Sequence, residues 1–178
     1  MDSGPHVTYR PGGPADAPAL ARVLAESFET YREWAGDDWA PRTKNEEALL
    51  AERLGWDDAW CLVAEAAGRP VAYVAILHAR TFEEPRTPIP GLAHLWHLFV
   101  LRDWWGSGVA GHLLREAVSE ARRRGYEWAR LWTPRDHARA RAFYRREGWR
   151  DTGEEQYAPD LDLDIVEMRR PLGVMLGS

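Results

Sequence analysis

Glycines at 106, 108 and 111 fall within one short segment, Gly106-Ser107-Gly108-Val109-Ala110-Gly111, directly after the apolar run Leu92 to Leu101. Apolar residues then recur with helical spacing at Val109, Leu113, Leu114, Ala117, Val118 and Ala121, and Arg122-Arg123-Arg124-Gly125 closes that stripe with cations and a terminal glycine. Glu127 to Thr133 reads as the next strand, stopped by Pro134. A strand that turns through glycine into a helix and returns as a strand is a crossover unit, which forces part of the sheet to be parallel. A merely structural turn needs one glycine. Three let several backbone N–H groups converge where the helix dipole adds positive potential, so the turn is expected to hold an anion, phosphate or pyrophosphate.

The remaining chain supplies antiparallel elements. Val7 to Arg10 reads as a strand, and Gly12 to Pro18 as a turn into a helix with Asp16 at its N-cap and Pro18 in its first turn. Leu20, Val23, Leu24 and Phe28 carry that helix to about Tyr31, and Leu49, Leu50 and Leu54 mark a second over Glu46 to Leu54. Trp60 to Glu65 and Val71 to His78, joined through Gly68, read as a hairpin. Glu83 to Gly91, with three prolines, reads as an irregular loop. His137 to Glu147 reads as a helix and Ile165 to Arg169 as a last strand. The predicted architecture is one α/β (α+β) domain over residues 1–178, a mixed, mostly antiparallel sheet of six to seven strands with helices on both faces.

The 45% hydrophobic and 29% charged composition is that of a globular chain, and no apolar run approaches the length of a membrane span. With a net charge of −5, no global positive field favours nucleic acid or an anionic membrane as partner. Met1 to Pro5 shows no secretory pattern, so a cytoplasmic location is expected. The single cysteine, Cys61, lies in an apolar strand and reads as a buried, inert thiol. No metal is expected: no His/Cys cluster is present, and Asp160 to Asp164 is half a calcium loop with Ile165 at its glycine position and Pro171 at its glutamate position.

The glycine turn literally fits the dinucleotide pattern G-x-G-x-x-G, yet an acidic residue is wanted at the end of the next strand, where Thr133-Pro134 stands. A P-loop is excluded because Lys44, the only lysine, follows no glycine-rich loop. The segment W-G-S-G-V-A-G-H-L-L from Trp105, preceded by the strand ending in Val100, resembles motif A of the GNAT (general N-acetyltransferase) superfamily, written [RQ]-x-x-G-x-[GA]. Trp105, Gly108 and Ala110 fall on its defined positions, with Trp105 in place of Arg or Gln. H-A-R-A-R-A-F-Y-R-R-E-G-W, from His137 to Trp149, is similar to the family's N-x-x-A-x-x-F-Y-x-x-x-G-F segment. The first strand and helix are also similar, so the resemblance spans the chain.

The resemblance implies a GNAT fold and acetyl-CoA as cosubstrate. Phe99 and Val100 would hydrogen-bond the pantetheine arm through their backbone, joined by His137 in place of the family's asparagine. Trp105, Gly106, Ser107, Gly108, Val109, Ala110 and Gly111 would cradle the pyrophosphate. His94 falls where the family often places a proton acceptor, and Tyr144 matches the tyrosine that protonates the departing thiolate. His97 faces the other side of a regular strand and becomes a rival base only if the strand is bulged. For the acceptor, Trp34, Asp37, Asp38 and Trp39 combine carboxylates with indoles suited to a cation; the same residues also read as a solvated loop anchored by two tryptophans. The expected activity is acetyl transfer to a primary amine of a small molecule or peptide by direct attack. The alternative is a silent CoA-binding sensor. Homodimerisation through the last strands is a habit of the family.

Overall fold

The computed structural model describes residues 6–173 and gathers the apolar runs into one seven-stranded sheet. Its strands are β1 (Val7–Pro11), β2 (Trp60–Ala66), β3 (Arg69–Arg80), β4 (Pro88–Val100), β5 (Trp128–Pro134), β6 (Arg150–Ala158) and β7 (Leu163–Pro171), in the order β1-β2-β3-β4-β5-β7-β6. β4 and β5 are parallel, and the other neighbours are antiparallel. The helices are α1 (Ala17–Glu29), α2 (Arg32–Ala35), α3 (Glu46–Leu54), α4 (Val109–Arg123) and α5 (Ala138–Arg146). This is the mixed, mostly antiparallel architecture the patterning predicts. The expectation resting on Met1 to Pro5 lies outside the described residues. Among the described residues no helix is long and apolar enough to cross a membrane.

Alternation along the strands divides the core in two. Ala72, Val74 and Ile76 of β3, with Ala93 and Leu95 of β4, meet the α4 stripe Leu113, Leu114, Ala117, Val118 and Ala121 on one face. Tyr73 and Ala75 of β3, with Cys61 and Val63 of β2, meet Leu20 and Val23 of α1 and Leu50 and Leu54 of α3 on the other. Period-2 strands packed by period-3.6 helices on both sides bury nearly every β3 side chain, which is why β3 reads as a continuous apolar run.

Three local expectations are corrected. Pro88, Ile89, Pro90 and Gly91 belong to β4 rather than to a loop, because Pro88 opens the strand opposite Arg80, at a strand start where a proline is tolerated. β6 has no counterpart among the expected elements. It is an edge strand of exposed, mainly polar residues, so no alternation marks it, and its pairing with β7 shifts register between Asp151 and Glu155. Asp16 does not cap α1 with its side chain. It accepts from the Gly13 N–H at 2.9 Å and pairs with Arg10 at 2.8 Å, closing the turn before the helix.

The α4 stripe is the keystone of the larger core. Leu113→Ala is expected to lower unfolding free energy by about 2–5 kcal/mol, since Leu113 is fully buried. Urea denaturation reads this as a lower midpoint with little change in slope.

Candidate active site

β4 and β5 are paired only from Leu92↔Trp128 to Leu95↔Leu131, although β4 runs on to Val100 and β5 to Pro134. The strands therefore part in mid-length. At the same place β4 is bulged: Ala75 pairs with His97 but the next β3 residue, Ile76, pairs with Leu95, leaving Trp96 extra. One extra residue shifts the period-2 alternation by one position, so side chains three apart across the bulge fall on the same face. His94, opposite Leu77, and His97, opposite Ala75, thus share the α1/α3 face with Phe99. On a regular strand they would point apart.

A cleft of about 950 Å³ follows the parting strands. His94, His97, Phe99, Val100 and Tyr144 line it, as do Trp105, Gly106, Gly108, Ala110, Gly111 and His137. Gly106 and Gly108 have left-handed backbone, φ +76° and +90°, and a side chain at either would be strained although it would meet no neighbour. The first bond of α4 is His112 N–H to the Gly108 carbonyl. Among the described residues, the N–H groups of Gly106, Gly108, Ala110 and Gly111 donate to no protein acceptor. They are the orphan donors that a helix N-terminus offers to an anion.

Ser107 and Val109 are placed differently from expectation, since neither lines the cleft. The Ser107 hydroxyl donates to the Trp104 carbonyl at 2.6 Å and accepts from the Val109 N–H at 3.3 Å, so it closes the turn. Trp105 donates its indole N–H to the Val100 carbonyl at 3.0 Å, tying the turn to the strand end. Arg102 and Arg139 lie over its ring at 4.7 and 4.1 Å. Arg139 and Arg115 also line the cleft, so guanidinium charge reaches the turn from residues the motif does not contain. No sequence signal short of the folded helix faces singles them out from the other arginines.

His94 and His97 are held neutral. Burial, then the Arg130 and Arg53 guanidiniums, push His94 down to about 3; burial, then Arg53 and His94, push His97 to about 3. The Tyr73 hydroxyl lies 2.9 Å from His97 Nδ1. Nδ1 of His94 is buried without a partner. Burial pushes Tyr144 up, and Tyr31, missed as a site residue, lines the same cleft close enough to Tyr144 to be raised by it after burial. Its signal was its place at the end of the α1 apolar stripe. His137 accepts from the Ala140 N–H at 3.5 Å, capping α5, and burial and then Arg139 push it to about 4.

The segment from Trp34 to Trp39 takes the second of its two readings, a loop anchored by its tryptophans. Trp34, Asp37, Asp38 and Trp39 do not line the cleft. Trp34 stacks on His137 with ring centres 4.8 Å apart, and the Trp39 indole donates to the Leu161 carbonyl at 2.9 Å, so both indoles anchor the loop. Asp37 and Asp38 are exposed. Beyond the histidines, the cleft is lined by Arg53, Phe82, Trp96, Arg130 and Trp132.

The model of the acetyltransferase (GNAT) family matches residues 24–149. The chain belongs to the GNAT family. It is 28% identical over 131 residues to an uncharacterised N-acetyltransferase of Archaeoglobus fulgidus, covering 72% of this chain and 83% of that one. Its fold is similar to that of a ribosomal-protein-alanine N-acetyltransferase from Brucella melitensis, with TM-score 0.70, 23% identity, and 92% and 99% of the two chains covered. It is also similar to the PaiA N-acetyltransferase of Thermoplasma acidophilum in complex with coenzyme A, with TM-score 0.64, 16% identity, and 93% and 99% covered. The matched GNAT region contains the bulge, the turn and Tyr144, and GNAT membership makes this an acetyl-CoA-dependent acetyltransferase.

In this GNAT protein the depressed histidines tie stability to acid. The folded state binds fewer protons than the unfolded state between about pH 4 and the ordinary histidine value near 6.5, so stability is lost as pH falls through that window. The slope is at most about 1.4 kcal/mol per pH unit for each histidine. Urea unfolding at pH 7 and pH 5 is expected to show this loss, and His94→Gln/His97→Gln to flatten it.

Proposed function

We propose that this acetyltransferase acetylates a primary amine of a small molecule or peptide by direct attack, with His94 accepting the amine's proton and Tyr144 protonating the departing thiolate. The observation that carries the reading is the bulge at Trp96, which sets two neutral imidazoles at the point where β4 and β5 part, in a cleft that Tyr144 also lines. The chain's own groups fit acetyl-CoA: free N–H donors at the glycine turn suit a pyrophosphate, and Arg139 and Arg115 add charge. Acetyl-CoA supplies an activated acyl group. Direct attack is favoured because Cys61 offers no nucleophile. It is 3% exposed, and burial pushes its thiol up to about 12.

Hydrogen bonding separates the two histidines. The Tyr73 hydroxyl is fully buried and must donate, and His97 Nδ1 is the acceptor at 2.9 Å. With the hydrogens so assigned, His97 carries its proton on Nε2 and acts as a donor. His94 has no such partner and keeps acceptor capacity. An imidazole pushed to about 3 cannot strip an alkylammonium at neutral pH. It can accept the proton of an amine that arrives neutral and turns acidic as the new N–C bond forms. The cationic, aromatic surroundings favour that neutral form by raising the cost of an ammonium there. Tyr144, held protonated by burial, keeps its proton until the thiolate develops.

His94→Gln is expected to lower kcat by about 10²–10⁴-fold and Tyr144→Phe by a smaller factor, with acetyl-CoA affinity nearly unchanged. Steady-state kinetics beside calorimetry separates the two. Wild-type kcat in both variants contradicts the assignment, and acetyl-CoA binding without transfer to any amine favours the sensor.

A further inference from the structure

Arg130 is 6% exposed and lies in the cleft wall. Its register places it beside His94 on β4 and opposite Arg169 on β7, while Glu167 stands opposite the neighbouring Trp132. On this sheet face two guanidiniums meet one buried carboxylate, Glu167, which is 3% exposed. Arg169 takes both of its oxygens, at 2.9 and 3.1 Å. Arg130 is left with a carbonyl: Nη2 donates to Arg80 O at 2.6 Å, its plane lies over Phe82, and Nε is buried without a partner. Among the described residues it makes no ion pair.

Of the other cations of this half of the cleft, two are ion-paired, and the third, Arg53, is only half-buried. Arg80 pairs with Asp58 at 3.0 Å and Arg86 with Glu84 at 3.2 Å. Arg53 lies over Trp96 and Trp56 within the field of Glu46 and Asp160. Arg130 is therefore the one buried guanidinium of this half without an ion pair: it shares only the field of Glu167, whose oxygens Arg169 already holds, and it faces the reaction centre. An unpaired buried charge is costly, and an arginine fork suits a carboxylate.

We propose that the acceptor is an amine that also bears a carboxylate on an apolar or aromatic body, an amino-acid-type substrate whose carboxylate pairs with Arg130. This rests on the acetyl-transfer reading above and names its substrate class. A single unpaired guanidinium calls for a monoanion. His94 and Arg130 are register partners on adjacent strands, whose backbones lie about 4.8 Å apart, a pairing that suits an acceptor with its amine and carboxylate close together, as in an α-amino acid. Phe82, Trp96 and Trp132 supply the apolar wall. A carboxylate there also offsets the Arg130 charge that lowers His94, so acceptor binding strengthens the base.

The test compares phenylalanine, tryptophan and leucine with their decarboxylated amines, using the full chain and acetyl-CoA. The amino acid of at least one pair is expected to exceed its amine by about 10–100-fold in kcat/KM, carried by KM. Arg130→Met should collapse that ratio toward one and Arg130→Lys restore part of it. Should Arg130→Met fail to fold, the wild-type ratios decide. Equal or better use of the plain amines overturns the proposal, as does a ratio that survives Arg130→Met. Calorimetry with acetyl-CoA separates the two readings: its failure to bind overturns the transfer reading. The carboxylate site is then judged by whether N-acetylphenylalanine binds more tightly than N-acetylphenethylamine, equal binding overturning it.

Discussion

Everything at the site depends on the interruption of one strand pair. β4 and β5 share four paired positions and then separate, so two interior strands carry edge-like backbone in the middle of a sheet. An unpaired stretch of interior backbone is costly unless something completes it. Here the turn after β4 does part of that work, through the Trp105 indole on the Val100 carbonyl, and a cleft occupies the rest. The bulge at Trp96 is the companion device, since without it His94 and His97 would lie on opposite faces.

Electrostatics in the cleft run opposite to the chain's overall charge. The protein is net −5, yet arginines line both ends of the cleft, at Arg115 and Arg139 near the glycine turn and at Arg53 and Arg130 beyond the histidines. At the turn they add to the free N–H donors of α4. At the other end burial first, and then these guanidiniums, hold His94 and His97 neutral. Local field, rather than net charge, governs what each end can take.

Much of this was legible because it is written in local pattern. The α4 stripe, the β2–β3 hairpin and the glycine turn each carry a period or a punctuating residue, and they lie where the sequence places them. β6 has no period, its one glycine, Gly153, falls inside the strand at the register shift, and its exposed residues hold only one edge. The segment holding Trp34 and Trp39 is ambiguous for a different reason: tryptophans beside aspartates fit a cation pocket and an anchored loop equally in sequence, and only the contacts of the two indoles with His137 and Leu161 favour the loop. Arg130 and Trp132 look like ordinary strand residues until the register with β4 and β7 is known. The bulge is likewise a property of pairing, so the sequence could name it only as a condition.

The central claim is that the glycine turn at the parted strands binds the acetyl donor, and calorimetric titration with acetyl-CoA tests it most directly. Gly108→Asp is the control, because aspartate is among the side chains least strained in left-handed backbone, nothing lies within 4 Å of its Cβ, and its charge opposes a phosphate. The account predicts saturable binding that Gly108→Asp weakens at least about 10-fold, an amount in line with the loss of a charge-assisted contact. No binding of acetyl-CoA, or binding indifferent to Gly108→Asp, would contradict it.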